Sequence, residues 1–131
     1  MTRSELEKHI LDTYGVVPDH PWARDPESAV FRHAANRKWF ALIMRISPEK
    51  LGLSGGFGLV RGEYIDIVNF KCDGRIIGSL CREQGFFPAY HMSKTSWLTA
   101  ALDGSADNDT VKLLLEMSFD ATAPKMRPRG K

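Results

Sequence analysis

Nowhere in the 131 residues does an apolar run approach the roughly 18 to 20 residues that a membrane span needs. The first residues, MTRSELEKHILDTY, are charged and amphipathic where a secretory signal carries an apolar segment. The expected location is therefore cytoplasmic, with no membrane partner. Cysteine is scarce. Cys72 and Cys81 are the only two, nine positions apart at the entrance and third turn of one expected helix, too far along its axis to bond. They read as buried thiols in a reducing compartment.

Catalytic and metal signatures are missing as well. His9, His20, His33 and His91 stand far apart, without the short ligand spacing of a zinc helix or knuckle. A site built from Cys72, His33 and His91 would need their strands to be neighbours, so no metal and no cofactor are expected. There is no G-x-S-x-G elbow and no prominent carboxylate pair. Ser54-Gly-Gly-Phe-Gly58 lacks the lysine and helix of a Walker loop and the spacing of a dinucleotide loop; it reads as a hairpin or mobile loop. The expected protein is not an enzyme.

What is present is ordinary globular material, 43% hydrophobic and 26% charged. One domain is expected over residues 1–122, followed by a disordered basic tail, 123–131, with two prolines and no apolar periodicity. The net charge of +2 is unevenly spread. Residues 31–99 carry ten Lys/Arg against five Asp/Glu, while residues 1–30 carry three against six and residues 100–122 one against five. A basic middle between acidic flanks hints at an anionic partner.

The pattern predicts helix, three strands, helix, two strands, helix: an α+β domain with a single antiparallel sheet and helices packed on it. Thr2 and Glu5 have capping-box spacing, Leu6, Ile10 and Tyr14 form a stripe, and Gly15 stops the helix. Three prolines between Val16 and Pro26 force extended chain and turns. Residues 29–34 and 38–46 read as a hairpin around Ala35-Asn-Arg37, with Phe40, Leu42, Met44 and Ile46 as the expected core face. A strand follows at 64–71. The second helix is expected from an Asp73 cap to Gln84, stopped by Gly85. Extended pieces are expected at 89–92 and 97–102, then a third helix capped by Ser105 or Asp107, with Val111, Leu114, Leu115 and Ser118 on one face.

Bases are interleaved with aromatics at Phe31-Arg-His33, Arg37-Lys-Trp39, Phe70-Lys71, and from Tyr90-His91 through Lys94 to Trp97. Cations neutralise phosphates and flat rings stack on bases, so strands and hairpin tips of this composition suit nucleic acid. Equally, Trp39 and Trp97 can pack the second face of the sheet with Lys38 and Lys94 solvated at its rim.

Six motifs in order resemble the MmcQ/YjbR family: His20-Pro-Trp22, Val30-Phe-Arg-His33, Asn36 with Lys38-Trp-Phe40, Val68-Asn-Phe-Lys-Cys-Asp73, Pro88-Ala-Tyr-His-Met92 with Lys94 and Trp97, and Ser118-Phe-Asp120. The resemblance runs from the first helix to about Thr122. Phe70, Gly74, Ser93 and Phe119 depart from the leucine, proline, asparagine and tyrosine usual there. It implies a bacterial protein with a compact α/β fold of the kind compared with frataxin (CyaY) and secretion chaperones. It also implies binding of double-stranded DNA through a double-wing arrangement of hairpins. Carried onto this chain, the nucleic-acid-binding residues would be Arg32, His33, Lys38, Lys71, Tyr90, His91, Lys94 and Trp97. The cations would meet phosphate, while Tyr90, His91 and Trp97 lined a groove. The alternative is a protein-interaction or chaperone-like adaptor on the same scaffold, with Trp97 and Tyr90 buried against a protein partner.

Overall fold

A computed structural model of the chain describes residues 1–52 and 64–124. The expected glycine loop at Ser54–Gly58 and all but the first two residues of the expected tail lie outside them. Among the described residues the order is α1 (Arg3–Tyr14), β1 (Ala29–Arg32), β2 (Trp39–Ile46), a short 3-10 turn (Pro48–Leu51), β3 (Ile65–Lys71), α2 (Gly74–Leu80), β4 (Phe86–Pro88), β5 (Trp97–Ala101) and α3 (Asn108–Thr122). The strands form one antiparallel sheet in the order β1-β2-β3-β5-β4.

Local chemistry sets most of the boundaries. The Thr2 hydroxyl accepts from the Glu5 amide at 3.2 Å, and the Glu5 carboxylate accepts from the Thr2 amide at 2.8 Å. This reciprocal box satisfies two amides that the first turn leaves free. Gly15 ends α1 with φ 68°, a left-handed conformation that glycine adopts without steric cost. Asp107 caps α3 by accepting from the Thr110 amide at 3.0 Å. The proline-rich connection runs extended beside the sheet edge, where Asp19 and Val30 exchange two backbone hydrogen bonds of 2.8 Å.

Leu6 and Ile10 of α1, Ile77 of α2, and Val111, Leu114 and Leu115 of α3 share one core with Phe31, Ile43, Val68, Phe70 and Leu98 of the sheet. The helices therefore cover one face. Each large side chain buried there contributes on the order of 1.5–3 kcal/mol.

The expected core face of β2 is corrected by a bulge. Phe31 pairs with Ala41 and Arg32 with Trp39, so Phe40 has no partner. The extra residue turns Phe40 to the helix-covered side, where it packs with Ala41 and Ile43. Met44 and Ile46 instead join Ile65, Ile67 and Ala101 in a smaller cluster on the opposite face. Strict alternation fails because the register slips by one residue at Phe40.

Two further expectations shift. Helix α2 closes at Cys81, short of Gln84, and the chain turns through Glu83 and Gly85 into β4. Gly85 has φ 88°, and a Cβ there would lie 2.5 Å from the Ala106 amide nitrogen, so this crossing requires glycine. The expected strand at 89–92 is not formed; pairing ends where Pro88 meets Leu98, and the following residues make a loop. Cys72 and Cys81 are both free thiols, and burial pushes both thiols up from their ordinary value.

Candidate functional site

At the end of the sheet formed by the start of β2, the end of β3 and the start of β5, α3 stands between β2 and β3, while β3 and β5 stay paired through Lys71 and Trp97. The β2–β3 ladder runs as far as Ala41 and Phe70. Beyond it the buried Ser118 hydroxyl donates to the Phe40 carbonyl at 2.7 Å and accepts from the Lys71 amide at 2.9 Å. One turn later the Thr122 hydroxyl donates to the Ser118 carbonyl at 2.8 Å and is hydrogen-bonded to His33 Nε2 at 2.9 Å. Asn36 completes the stitching. Its side-chain amide donates to the Thr122 carbonyl at 3.0 Å, and its oxygen accepts from the Lys38 amide at 3.0 Å.

This arrangement leaves a groove of about 320 Å³. Lys38, just before β2, and Trp39 of β2 line it, with Lys71 from β3, Met92 and Trp97 from the β4–β5 side, and Ala121 and Thr122 from α3. Arg32 lies opposite Trp39, with Cζ 5.9 Å from the ring centroid, and Lys71 lies opposite Trp97, with Nζ at the same 5.9 Å. Both are cation–π contacts of a kind worth roughly 0.5–1 kcal/mol at exposed sites. Trp22 meets Trp39 edge-on at 5.8 Å, so all three tryptophans of the chain belong to this end of the molecule. Among the described residues no carboxylate lines the groove or pairs with Lys38 or Lys71.

Of the eight residues expected from the sequence, the groove brings together Lys38, Lys71 and Trp97. Arg32 is adjacent but committed, its Nε donating to Asp19 at 2.6 Å. His33 is buried, packed against Phe119 at 4.4 Å and Phe40 at 5.3 Å, so its expected place on an exposed surface is corrected. It joins the hairpin to α3.

Tyr90, His91 and Lys94 belong to the loop between β4 and β5. The Tyr90 amide donates to the Thr99 hydroxyl at 2.9 Å, and that hydroxyl donates to Asn69, itself fully buried. Lys94 Nζ donates to the Ala89 carbonyl at 2.7 Å, folding its cation back onto its own loop. His91 is exposed at φ 59°, its ring 4.1 Å from that of Tyr90. The histidine is presented to solvent, while the lysine braces the loop.

Trp39 and Met92 were absent from the expected set. Arg37-Lys-Trp39 had marked Trp39, but only the bulged pairing with Arg32 turns it toward the groove. His33, Cys72 and His91 do not form a ligand group; among the described residues no three His, Cys, Asp or Glu side chains are placed to hold a metal ion.

Two other hollows are differently lined. One of about 430 Å³ shares Lys71 and Ala121 with the groove, and Cys72, Gly74, Leu114 and Met117 are among its other walls. At its rim Asp73 accepts side-chain hydrogen bonds from Arg75, which hold its carboxyl down at about 2. The other, about 640 Å³, is bordered by Glu83, Asp107 and Asp109 beside the start of α3, and its acidity suits the helix dipole.

Comparison with known proteins places this geometry in a family. The model of the family described as YjbR matches residues 11–121, most of the chain. The chain belongs to the YjbR family. It is 40% identical over 122 residues to the Bacillus subtilis protein YyaQ, described as uncharacterised, covering 93% of this chain and 98% of that one. A crystal structure of a Pseudomonas syringae protein superposes with TM-score 0.87 at 37% identity, covering 94% of this chain and all of the other. A solution structure from the same organism gives 0.84 at 35% identity, with both chains fully covered. A Deinococcus radiodurans protein of the DUF419 family, 19% identical with TM-score 0.67 over 98% of this chain and 83% of that one, shares the fold. Among the described residues of this YjbR-family chain, no helix is long and apolar enough to cross a membrane.

Proposed function

We propose that the protein binds nucleic acid, as a non-enzymatic cytoplasmic protein, through the groove between β2, β3 and β5. The observation that carries this reading is the convergence of Lys38 and Lys71 with Trp39 and Trp97 around one opening that no described carboxylate lines. Ammonium groups neutralise phosphates and indole faces accept bases, and the two are interleaved here as single-strand and loop-binding surfaces require. The double-wing picture implied by the family resemblance is narrowed accordingly. Arg32 is held by Asp19, His33 is buried and Lys94 is turned onto Ala89, which leaves Lys38 and Lys71, among the described residues, as the groove's phosphate contacts.

The test is a salt titration of oligonucleotide binding by the intact protein and by Lys38→Ala/Lys71→Ala. Affinity should fall as salt rises, and the double variant should bind more weakly with a shallower salt dependence. Binding that ignores both salt and the double substitution would remove the phosphate contacts from the account.

A second reading, a protein-interaction adaptor of the kind the secretion-chaperone comparison suggests, draws on the hollow beside the groove. Met117 is 43% and Leu113 56% exposed on the outer side of α3, next to Leu114 in that hollow's wall. Capture of one defined protein that is lost in Met117→Asp, while oligonucleotide binding is absent, would favour it.

A further inference from the structure

We infer that the ligand of the groove is unpaired nucleic acid, with exposed bases on Trp39 and Trp97 and two backbone phosphates on Lys38 and Lys71. This rests on the nucleic-acid reading and specifies its strandedness. Three observations carry it. The opening is about 320 Å³, a cleft for single rings rather than a trough for a helix of stacked pairs. Its walls are indoles: Trp39 and Trp97 line it, and Trp22 buttresses Trp39. A duplex turns its base faces inward onto their neighbours and offers grooves and phosphates, so it cannot use such walls; an unpaired strand offers both ring faces and phosphates. Among the described residues the cations at the cleft are also few: Lys38 and Lys71 flank it, and a surface with two phosphate contacts is a poor match for the long charged ridge of a duplex.

The lysine already over a ring adds a mechanism. Lys71 Nζ sits 5.9 Å from the Trp97 centroid, so a base that takes that face of the indole displaces the ammonium group toward the base's own phosphate. The ring and the charge are then used by one nucleotide. Met92 supplies a deformable apolar side to the cleft, which tolerates any base. The inferred recognition is accordingly insensitive to sequence.

Because two of the three tryptophans line the cleft and the third packs against Trp39, intrinsic fluorescence reports on it. The full chain is titrated with a thymidine 12-mer and, in parallel, with a 12-base-pair duplex, at 50 and 200 mM salt. The expected result is quenching by the single strand and at least tenfold weaker binding of the duplex. The single-strand slope of log affinity against log salt should be about −1.4 for two phosphates, a loss of about sevenfold between the two salt concentrations. Duplex binding as tight as the single strand, or single-strand binding without a fluorescence change, overturns the inference while leaving nucleic-acid binding in place. Binding of neither oligonucleotide at 50 mM salt overturns the underlying reading as well. Exposed-surface variants Lys38→Gln and Lys71→Gln, which remove charge without touching the core, should each reduce the slope; an unchanged slope in both also overturns the inference.

Discussion

The hydroxyl of Ser118 occupies the place of a sheet hydrogen bond, accepting from the Lys71 amide at 2.9 Å while donating to the Phe40 carbonyl at 2.7 Å. A helix side chain thus keeps β2 and β3 joined at the point where they separate to form the groove. In Ser118→Ala both backbone groups lose their partner inside the protein. The expected loss of stability is about 1–3 kcal/mol for the orphaned buried groups, read as a lower urea midpoint. The Lys71 amide should then exchange faster with solvent than those of Val68 and Phe70. A variant as stable as the parent would mean that the strands close over the gap.

That contact also shows what the chain reveals of itself. Ser118 was legible as a residue on the buried face of the third helix, because its spacing from Val111, Leu114 and Leu115 is helical. Its work as a rung between strands was not, since that depends on the bulge at Phe40, and a bulge leaves no mark in a period-two pattern. The same slip hid Trp39 and misassigned the core face of β2. His33 fails for a related reason: a histidine beside an arginine on a strand reads as surface, and only the approach of Thr122, 89 residues away, explains its burial. The capping box, Gly15 and the choice of Ser105 or Asp107 as the cap of α3 were readable because each is settled within four residues.

The link from His33 to Thr122 fixes the imidazole. Thr122 spends its one hydroxyl proton on the Ser118 carbonyl, so His33 must donate from Nε2. Thr122→Val removes that acceptor from a buried donor and should cost about 1–3 kcal/mol, with Thr122→Ser recovering most of it. Nitrogen NMR of the parent should show the Nε2–H tautomer, and the Nδ1–H form would break the argument.

Asp73 ties the start of α2 to Arg75, and the guanidinium hydrogen bonds hold its carboxyl near 2 against an ordinary 3.8. A carboxyl lowered in the folded state contributes stability that is complete above 3.8 and disappears as pH falls through about 2. A carbon NMR titration should place the Asp73 midpoint near 2 in the parent and raise it toward 3.8 in Arg75→Leu. An unmoved midpoint would assign the shift to the backbone cap instead.

Lys94 and Lys71 make the sharpest pair for dividing structure from function, because both are exposed lysines in the segments that the family motifs mark. Lys94 donates to Ala89 within its own loop, whereas Lys71 projects over Trp97. Replacing Lys71 with alanine should reduce the magnitude of the salt slope for a single strand by about 0.7, one phosphate contact. Replacing Lys94 should leave the slope as it was, while shifting the amide resonances of Tyr90 and His91 as the loop loses its brace. If Lys94→Ala lowers the slope as much as Lys71→Ala does, the ammonium group leaves Ala89 for a phosphate on binding. The loop between β4 and β5 would then be part of the interface rather than its support.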